Sequence, residues 1–318
     1  MSKAWPSALL VLVVGCVVAA TLVGGCGGSS SPFVFLNVQE RAAWGPNGRV
    51  ALTAVGGDGN LYIWTVGEGG GGSALLTPQA TTIGNPAGGT NPAYSPDGSL
   101  IVFSGRRATR VALYTMSATS GESGGLTALT DTNVATTTGR DVQPWYVNGT
   151  TVVYSSNQTT ANMSLWQVDT GTKVATRLAK DTDGFDMMWA APDPTGSGII
   201  IYQRKDAVSG RSQIWKRAAN GTLSALIPGS DDGNDYGGPS WKPDGSAILF
   251  HSNRAGDYDI WRISPTGTGL TQITNTNDSD GFPVFKPDST KIGFIRGNEF
   301  WTMNPDGTTQ TRITQVYR

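Results

Sequence analysis

Short apolar runs of β-branched and aromatic residues alternate with turn sequences along most of the chain. Typical runs are residues 100–103 (Leu-Ile-Val-Phe) and 151–154 (Thr-Val-Val-Tyr), and no segment keeps a helical period. The turns before them are rich in Pro, Asp, Asn and Gly, as in residues 95–98 (Ser-Pro-Asp-Gly). Because proline presets φ at the first turn position and glycine accepts positive φ, such turns connect hairpins. The pattern predicts an all-β protein of short antiparallel strands.

Two aromatic positions repeat six times each and divide the chain into units of 44 to 52 residues. The first series precedes the turn: Trp44, Tyr94, Trp145, Trp189, Trp241 and Phe285. The second series follows 16 to 26 residues later: Trp64, Tyr114, Trp166, Trp215, Trp261 and Trp301. A short final run, such as residues 273–274, gives each unit four predicted strands. These units predict a six-bladed β-propeller with four antiparallel strands per blade over residues 39–318.

Large aromatic side chains at repeated positions indicate packing between neighbouring blades, since a buried Trp removes up to about 250 Å² from water. The chain has no cysteine after residue 26, so packing has to supply the stability without disulfides or thiolate metal sites. With 43 Gly, 17 Pro and 15 % charged residues, the composition is that of a loop-dense globular protein. The net charge of -1 excludes the basic surplus of a nucleic-acid binder.

The N-terminal segment resembles a bacterial lipoprotein signal. Lys3 is followed by an uncharged apolar run over residues 8–23, and small residues then precede Cys26. We expect residues 1–25 to be the signal peptide, Cys26 to be the lipidated residue, and residues 26–38 to form a flexible tether. Cys16 also fits the pattern, but it would leave residues 17–23 as an apolar N-terminus. An uncleaved membrane anchor and an ordinary secretory signal are the alternatives.

The meander of each blade sorts its loops onto two faces. The Pro-Asp-Gly turns lie on one face, and the second hairpin loops and the connections between blades lie on the other, with many charged residues. That charged face is the candidate binding face. Its candidate residues are Arg106, Arg107, Arg110, Asp141, Asp183, Arg204, Lys205, Asp235, Arg254, Asp280 and Arg296.

Three combinations of an acid and an arginine recur on this face. Each places the acid before a first strand and the arginine at the end of a second strand: Asp183 with Arg204, Asp235 with Arg254, and Asp280 with Arg296. They are either structural ion pairs or part of a charged rim that recognises a polar partner. Exposed pairs would contribute under about 1 kcal/mol each, so only burial would make them structurally important.

Motifs for catalysis or metal binding are scarce, and we assign no catalytic residue. Asp183, Asp235 and Asp280 lie in Asp-rich turns that suit Ca²⁺, but none of these turns has a complete twelve-residue calcium loop. We expect no resident cofactor or metal, with calcium at these turns as the open alternative. The single histidine, His251, cannot form a multi-histidine site, so we expect it to pack. Residues 121–125 (Gly-Glu-Ser-Gly-Gly) match a nucleophile elbow, but no strand-to-helix setting surrounds them.

The Pro-Asp-Gly repeats resemble those of the TolB-like propeller family. The closest matches are residues 239–245 with 252–261 and residues 91–98, and the resemblance covers about residues 39–318. It is specific for the fold and much less so for function, because related repeats occur in envelope scaffolds and as caps on peptidases. The chain departs from the family's namesake in having no room for an additional N-terminal domain and in its lipoprotein-type leader. A role in the Tol-Pal system therefore does not follow from the resemblance.

These observations favour a non-catalytic binding scaffold. We expect a monomeric, lipid-anchored extracytoplasmic propeller that binds an envelope protein or peptide and no nucleic acid. The alternative is a calcium-dependent glycan-binding, lyase or hydrolase-type propeller that uses the central channel. Since Gly27 is not an Asp retention signal, the resemblance implies an outer-membrane anchor facing the periplasm. The sequence leaves open whether residues 33–36 add a strand that closes the ring or lead into the first blade.

Overall fold

The structure is a computed structural model that describes residues 34–35, 40–56, 60–77, 87–107, 110–130, 139–227, 229 and 232–315. The expected signal peptide, Cys26 and most of the expected tether lie outside these residues. All 26 regular elements of the described part are β-strands. No helix there is long and apolar enough to cross a membrane.

Six sheets, each of four consecutive antiparallel strands, form six blades, which confirms the predicted all-β six-bladed propeller. The first strand, β1 (Val34–Phe35), lies outside the blades. Blade 1 consists of β2 (Ala43–Trp44), β3 (Arg49–Val55), β4 (Leu61–Gly67) and β5 (Ala74–Leu75). Blade 2 consists of β6 (Ala87–Tyr94), β7 (Leu100–Arg107), β8 (Arg110–Ser117) and β9 (Gly121–Ala128). Blade 3 consists of β10 (Asp141–Tyr146), β11 (Thr151–Ser156), β12 (Ser164–Asp169) and β13 (Ala175–Ala179).

The second half of the ring repeats the same meander. Blade 4 consists of β14 (Phe185–Pro192), β15 (Ile200–Asp206), β16 (Ser212–Arg217) and β17 (Leu223–Ala225). Blade 5 consists of β18 (Tyr236–Trp241), β19 (Ile248–Ser252), β20 (Asp259–Ile263) and β21 (Thr271–Gln272). Blade 6 consists of β22 (Asp280–Phe285), β23 (Ile292–Arg296), β24 (Glu299–Met303) and β25 (Thr311–Arg312), and β26 (Thr314–Gln315) follows it. The first strands of successive blades contact one another and surround the central channel.

The second aromatic series occupies one equivalent position in all six blades. Each member lies on the third strand, directly opposite a large apolar or tyrosine side chain of the second strand. The pairs are Leu52–Trp64, Phe103–Tyr114, Tyr154–Trp166, Tyr202–Trp215, Phe250–Trp261 and Phe294–Trp301. Directly opposed large side chains stabilise a pair of strands. The same cross-strand pair therefore stabilises the second and third strands of every blade.

The first aromatic series is equivalent in four blades, and its members pack against the preceding blade. Trp241 packs against an apolar cluster that includes Ile201 and Ile214 of blade 4, for example, which confirms the expected packing between blades. The equivalent residues of the six blades are Trp44, Tyr94, Tyr146, Pro192, Trp241 and Phe285, each next to the turn.

The assignment of Trp145 and Trp189 to this series was wrong. Trp145 lies one residue before the equivalent position, and Trp189 lies three residues before it. A change of one residue along a strand directs the side chain to the opposite face, and bulges shift the register further. Both indoles instead lie near a cation that reaches across the channel from blade 1.

Five of the first strands contain a bulge, where a residue adopts positive φ. These residues are Asn91, Gln143, Trp189, Gly238 and Phe282, with φ between 50° and 57°. Four of the freed N–H groups bond to the preceding blade: Asn91 to Thr53, Trp189 to Gln143, Gly238 to Gln203, and Phe282 to His251. The bulges therefore connect neighbouring blades as well as shaping the channel wall.

The ends of the described chain meet at the junction of blades 1 and 6. β1 pairs in parallel with β26, so residues 34–35 add a strand beside the C-terminal segment. At the same junction the Trp44 ring lies edge-on to Phe300 of blade 6, 6.1 Å between centroids. Lys286 of blade 6 also forms an ion pair with Glu68 of blade 1, at 2.8 Å. The ring is closed by side-chain packing together with an added strand pair.

Candidate binding site

The two faces of the disc differ in chemistry. We call the side that carries the first and third hairpin turns of each blade the turn face, and the other side, with the second hairpin loops and the connections between blades, the loop face. The charged candidate residues lie on the loop face or at the strand ends next to it.

Arg204 is clamped on the loop face by two aspartates. Its Nε donates to Asp181 at 2.5 Å, and its Nη2 donates to Asp183 at 2.8 Å. Burial acts to raise the pKa of Asp181, but the hydrogen bonds and charge of Arg204 outweigh it and hold this pKa below its usual value. The guanidinium also lies 3.6 Å from the centroid of Phe185. The predicted Asp183–Arg204 pair is present, but the buried partner is Asp181 of the same Asp-rich turn, which was not predicted to pair with Arg204.

Arg296 and Arg110 also bind aspartate side chains of this chain. Arg296 binds Asp280 through two hydrogen bonds of 2.6 and 2.7 Å, and both side chains are buried, as expected for a structural pair. Arg110 lies 3.4 Å from Asp141 and also donates to the Thr130 carbonyl. Burial raises the pKa of the Asp141 and Asp280 carboxyls even though an arginine faces each of them. These groups therefore hold the loops and strand ends together.

The predicted Asp235–Arg254 pair is absent from the contacts of the described residues. Asp235 accepts hydrogen bonds from the Ser212 N–H at 3.0 Å and the Tyr258 hydroxyl at 3.1 Å instead. The Arg254 guanidinium lies 5.1 Å from the Trp261 ring centroid. The sequence pattern identified equivalent positions, but in blade 5 neighbouring polar groups already satisfy the acid.

The remaining charged candidates lie at strand ends without forming one cluster. Arg106 is exposed at the end of β7, Arg107 is half-buried beside it, and Lys205 is half-buried on β15 opposite Asp186. The loop face also has an open cavity of about 620 Å³ between blades 4 and 5, lined by Arg204, Arg211 and polar side chains.

The structure does not group the calcium candidates. Asp183, Asp235 and Asp280 belong to three different blades or connections, and Asp183 and Asp280 bind arginines. Among the described residues, no three His, Cys, Asp or Glu side chains are arranged to hold a metal ion.

His251 is a packing residue in this structure. Its Nδ1 accepts the N–H of Phe282 at 3.2 Å, and its ring lies edge-on to Tyr258 and Phe282. Burial lowers the pKa of His251 to about 4, so the imidazole is neutral at physiological pH. The segment that matched a nucleophile elbow begins the outer strand β9 and has no adjoining helix.

A buried arginine crosses the central channel, and no motif or repeat in the sequence indicated it. Arg41, just before β2 of blade 1, lies 4.3 Å from the ring centroid of Trp145 in blade 3 and 5.3 Å from that of Trp189 in blade 4. Its Nη1 lies 3.5 Å from the Pro239 carbonyl of blade 5. Burial lowers the pKa of Arg41 to about 9 and raises that of the adjacent Glu40 to about 7, and Glu40 accepts a hydrogen bond from Asn91. These contacts form only when the ring brings distant segments together.

On the turn face the channel opens into an apolar funnel of about 250 Å³. All six blades contribute to its wall through the residues at the ends of their first strands: Trp44, Tyr94, Tyr146, Pro192, Trp241 and Phe285. Five further prolines form its rim: Pro46, Pro96, Pro194, Pro243 and Pro287. Trp145, which contacts Arg41, also lines the funnel, so the crossing arginine lies beneath it. From the sequence, the repeated aromatics were predicted to pack between blades, and the cavity that they share was not predicted.

Several polar atoms in the funnel wall have no protein partner. They are Trp44 Nε1, the hydroxyls of Tyr94 and Tyr146, and Ser240 Oγ. In contrast, Trp241 Nε1 donates to the Ala191 carbonyl at 2.8 Å. These atoms are themselves buried from solvent, so they lie within the wall behind its apolar surface.

Comparison with known proteins supports the TolB-like character of the propeller. No protein-family model matches the chain. The Tol-Pal system protein TolB of Anaeromyxobacter dehalogenans is 29 % identical over 165 residues, which cover 48 % of this chain and 38 % of that protein. The crystal structure of TolB from Acinetobacter baumannii superposes with a TM-score of 0.64 at 18 % identity, covering 83 % of this chain and 63 % of that one. The chain is thus a six-bladed propeller, with TolB-like sequence over about half its length, and it spans less than two thirds of these relatives.

The fold alone does not separate a scaffold from an enzyme. Oligogalacturonate lyase from Vibrio parahaemolyticus superposes with a TM-score of 0.55 at 13 % identity over 89 % of this chain and 78 % of that one. Such low identity shows a common architecture only, and function has to be argued from the residues of this chain.

Proposed function

We propose that this chain is a lipid-anchored, non-catalytic propeller of the bacterial cell envelope that binds a protein or peptide partner. Its sequence similarity to Tol-Pal system proteins supports an envelope location. The leader that ends at Cys26 supports a lipid anchor, with the propeller in the periplasm at the outer membrane. The scaffold role also fits the described residues, where acids and arginines form internal pairs.

The observation that carries the binding role is the funnel on the turn face. It is concave, is lined by residues of every blade, and has a mainly apolar and aromatic wall. Concave apolar sites with a few placed polar groups are where propellers and other folds bind ligands. On the loop face, Arg110, Arg204 and Arg296 bind aspartates of this same chain. We therefore place the main partner site at the funnel and keep the charged loop face as a second surface.

Site-specific photocrosslinking distinguishes the two surfaces. A benzoylphenylalanine at position 194 lies at the funnel rim, whereas one at position 208 replaces a loop-face valine that is 97 % exposed. In intact cells of the native host, ultraviolet light is expected to give a discrete adduct with one envelope protein from position 194. Position 208 is the matched control and is expected to give no such adduct. An adduct from position 208 alone moves the site to the loop face, and none from either position contradicts the scaffold role.

A further inference from the structure

Three Asn-Gly pairs lie in hairpin turns of the turn face. They are residues 47–48 in blade 1, residues 148–149 in blade 3 and residues 220–221 in blade 4, and all three asparagines are exposed. In such a pair the backbone nitrogen of the glycine can attack the Cγ atom of the asparagine side chain, because glycine has no Cβ to crowd the approach. The dipeptide is the same in all three turns, so the fold has to decide which of them reacts.

The glycine nitrogen is the first difference between the pairs. The Gly48 N–H donates to the Gly45 carbonyl at 3.2 Å, and the Gly221 N–H donates to the Ala218 carbonyl at 2.9 Å. The Gly149 N–H has no acceptor among the described residues, and no atom lies within 4 Å of the place that a Cβ would take. A nitrogen that already donates has to break that hydrogen bond before it can lose its proton and attack. The Gly149 nitrogen is therefore the most available of the three.

The asparagine amide is the second difference. The Asn148 Oδ1 accepts the N–H groups of Thr150 and Thr151 at 2.9 and 2.8 Å, and also the Thr150 hydroxyl at 3.2 Å. The Oδ1 atoms of Asn47 and Asn220 each accept one N–H, at 3.0 Å. Attack on Cγ places negative charge on this oxygen, and donors that already point at it stabilise that charge. The carbonyl of Asn148 is thus better prepared for attack than the other two.

We infer that Asn148 is a site of spontaneous deamidation in the folded protein. The Gly149 nitrogen forms a bond to the Asn148 Cγ, and its proton passes through water to the side-chain nitrogen, which leaves as ammonia. Water then adds to one carbonyl of the resulting succinimide ring and opens it, which gives isoaspartate or aspartate at this position. Water is the only co-reactant, and neither an oxidant nor a reductant takes part.

The reaction changes the turn face at blade 3. The Asn-Gly pair follows Tyr146, which lines the funnel, and the turn over residues 147–150 has no proline, unlike the first turns of the other five blades. Either product adds a negative charge there, and isoaspartate also lengthens the backbone of the hairpin by one carbon. The turn face of an aged molecule therefore differs from that of a new one, whichever partner the propeller binds.

The test follows the three pairs together in one sample of the full chain, purified in detergent and incubated at mildly alkaline pH. Peptide mass spectrometry measures the conversion of amide to acid at each asparagine, and a protein isoaspartyl methyltransferase labels the isoaspartate. In the folded protein we expect Asn148 to react about two- to tenfold faster than Asn47 or Asn220, the factor for a single hydrogen bond. In denaturant, where these hydrogen bonds are lost, we expect the three rates to become similar.

The variant Gly149→Ala tests the attacking atom. Gly149 does not have positive φ, and there is open space for a new Cβ, so the fold is retained. The added Cβ crowds the backbone nitrogen, so the conversion of Asn148 is expected to slow to the rate of the other pairs or below it. Asn47 and Asn220 serve as internal controls and are expected to keep their rates, and thermal melting reports on the fold.

Several results would overturn the inference. They are equal rates at the three pairs in the folded protein, a faster reaction at Asn47 or Asn220, or no conversion at Asn148. A faster rate at Asn148 that persists in denaturant would also overturn it, because the local sequence and not the fold would then be the cause. Unchanged conversion in Gly149→Ala would show that the Gly149 nitrogen is not the attacking atom.

Discussion

At the scale of single residues, a threonine side chain accepts a backbone hydrogen bond from the third strand in four blades. The Oγ1 atoms of Thr77, Thr130, Thr274 and Thr314 accept the backbone N–H of the residue before the third-strand aromatic, at 2.7 to 3.0 Å. In blade 3 the fourth strand extends past the aromatic, and Ala179 pairs there with Leu165 in the ladder. In the four blades with threonine, a side chain takes the place of that pairing, and in blade 4 the position holds Ile227. In the sequence these threonines follow a Leu or Ile at the end of each unit, as in residues 76–77 and 273–274. The hydrogen bond gives a physical reason for the recurrence of threonine there.

Removing one of these hydroxyls tests its role. Thr77→Val keeps the shape of the side chain but leaves the Ile63 N–H buried without an acceptor. We expect the free energy of unfolding to fall by about 1–3 kcal/mol. Urea denaturation measures it, and Thr271→Val at an exposed position of β21 is the control, expected to change it by less than about 0.5 kcal/mol. Equal effects of the two variants would contradict the role assigned to Thr77.

Substitution of Phe250 and of Trp241 distinguishes the stability contributed by a core aromatic from that contributed by an aromatic that also lines the funnel. Phe250 is fully buried opposite Trp261, whereas Trp241 is only partly buried because it also lines the funnel. Phe250→Ala is expected to lower the free energy of unfolding by about 3–5 kcal/mol, and Trp241→Ala by less than that. Chemical denaturation of both variants gives the order, and the reverse order would mean that Trp241 is a core residue alone.

At the scale of elements, the bulged first strands are joined to the preceding blade by a side chain of variable type. Gln203 in blade 4 and His251 in blade 5 hold equivalent places, each next to the aromatic residue of the second strand, and each accepts a bulge N–H of the following blade. The sequence predicted strands, turns and repeat length because these follow local periodicity. It did not predict the bulges, which misplaced Trp145 and Trp189, because a bulge depends on what the neighbouring blade offers.

The neutral state of His251 makes this connection sensitive to acid. Its pKa is about 4 in the folded protein and about 6.5 when unfolded, so the unfolded state binds more protons between these values. Its stabilising contribution is complete above pH 6.5 and falls as the pH drops towards 4. Between pH 7 and 4.5 we expect it to lose about 2–3 kcal/mol.

Comparison with a glutamine isolates the histidine. His251→Gln keeps an acceptor, as Gln203 does in the blade before, and cannot be protonated in this range. The difference in unfolding free energy between the wild type and His251→Gln is expected to shift in favour of the variant as the pH falls from 7 to 4.5. Because other groups titrate equally in both proteins, a difference that stays constant with pH would refute the assignment.

At the scale of the whole molecule, the junction of blades 1 and 6 and the contacts of Arg41 join residues that are distant in the sequence. The sequence could not foresee the Arg41 contacts, since their partners at Trp145, Trp189 and Pro239 lie about 100 to 200 residues away. It foresaw the candidate arginines of the loop face and the pairs of Arg204 and Arg296 with an aspartate, but not the pair of Arg110 with Asp141 or the buried Asp181 beside Arg204. Charge patterns on a propeller thus locate equivalent positions, while the choice between pairing and exposure depends on burial.

The membrane attachment is tested with the two cysteines of the leader, which serve as matched controls for each other. Cys26→Ser is expected to abolish incorporation of radiolabelled palmitate and to release the protein from the membrane fraction. Cys16→Ser is expected to retain both label and membrane association. Labelling that is lost with Cys16→Ser and kept with Cys26→Ser would assign the lipid to the earlier cysteine.

The Arg41 side chain reaches from blade 1 to blades 3, 4 and 5 and so lies across the space between the two faces. A polypeptide threaded through the ring would have to displace this side chain from both indoles. A partner on the turn face and one on the loop face would therefore meet the same arginine from opposite sides.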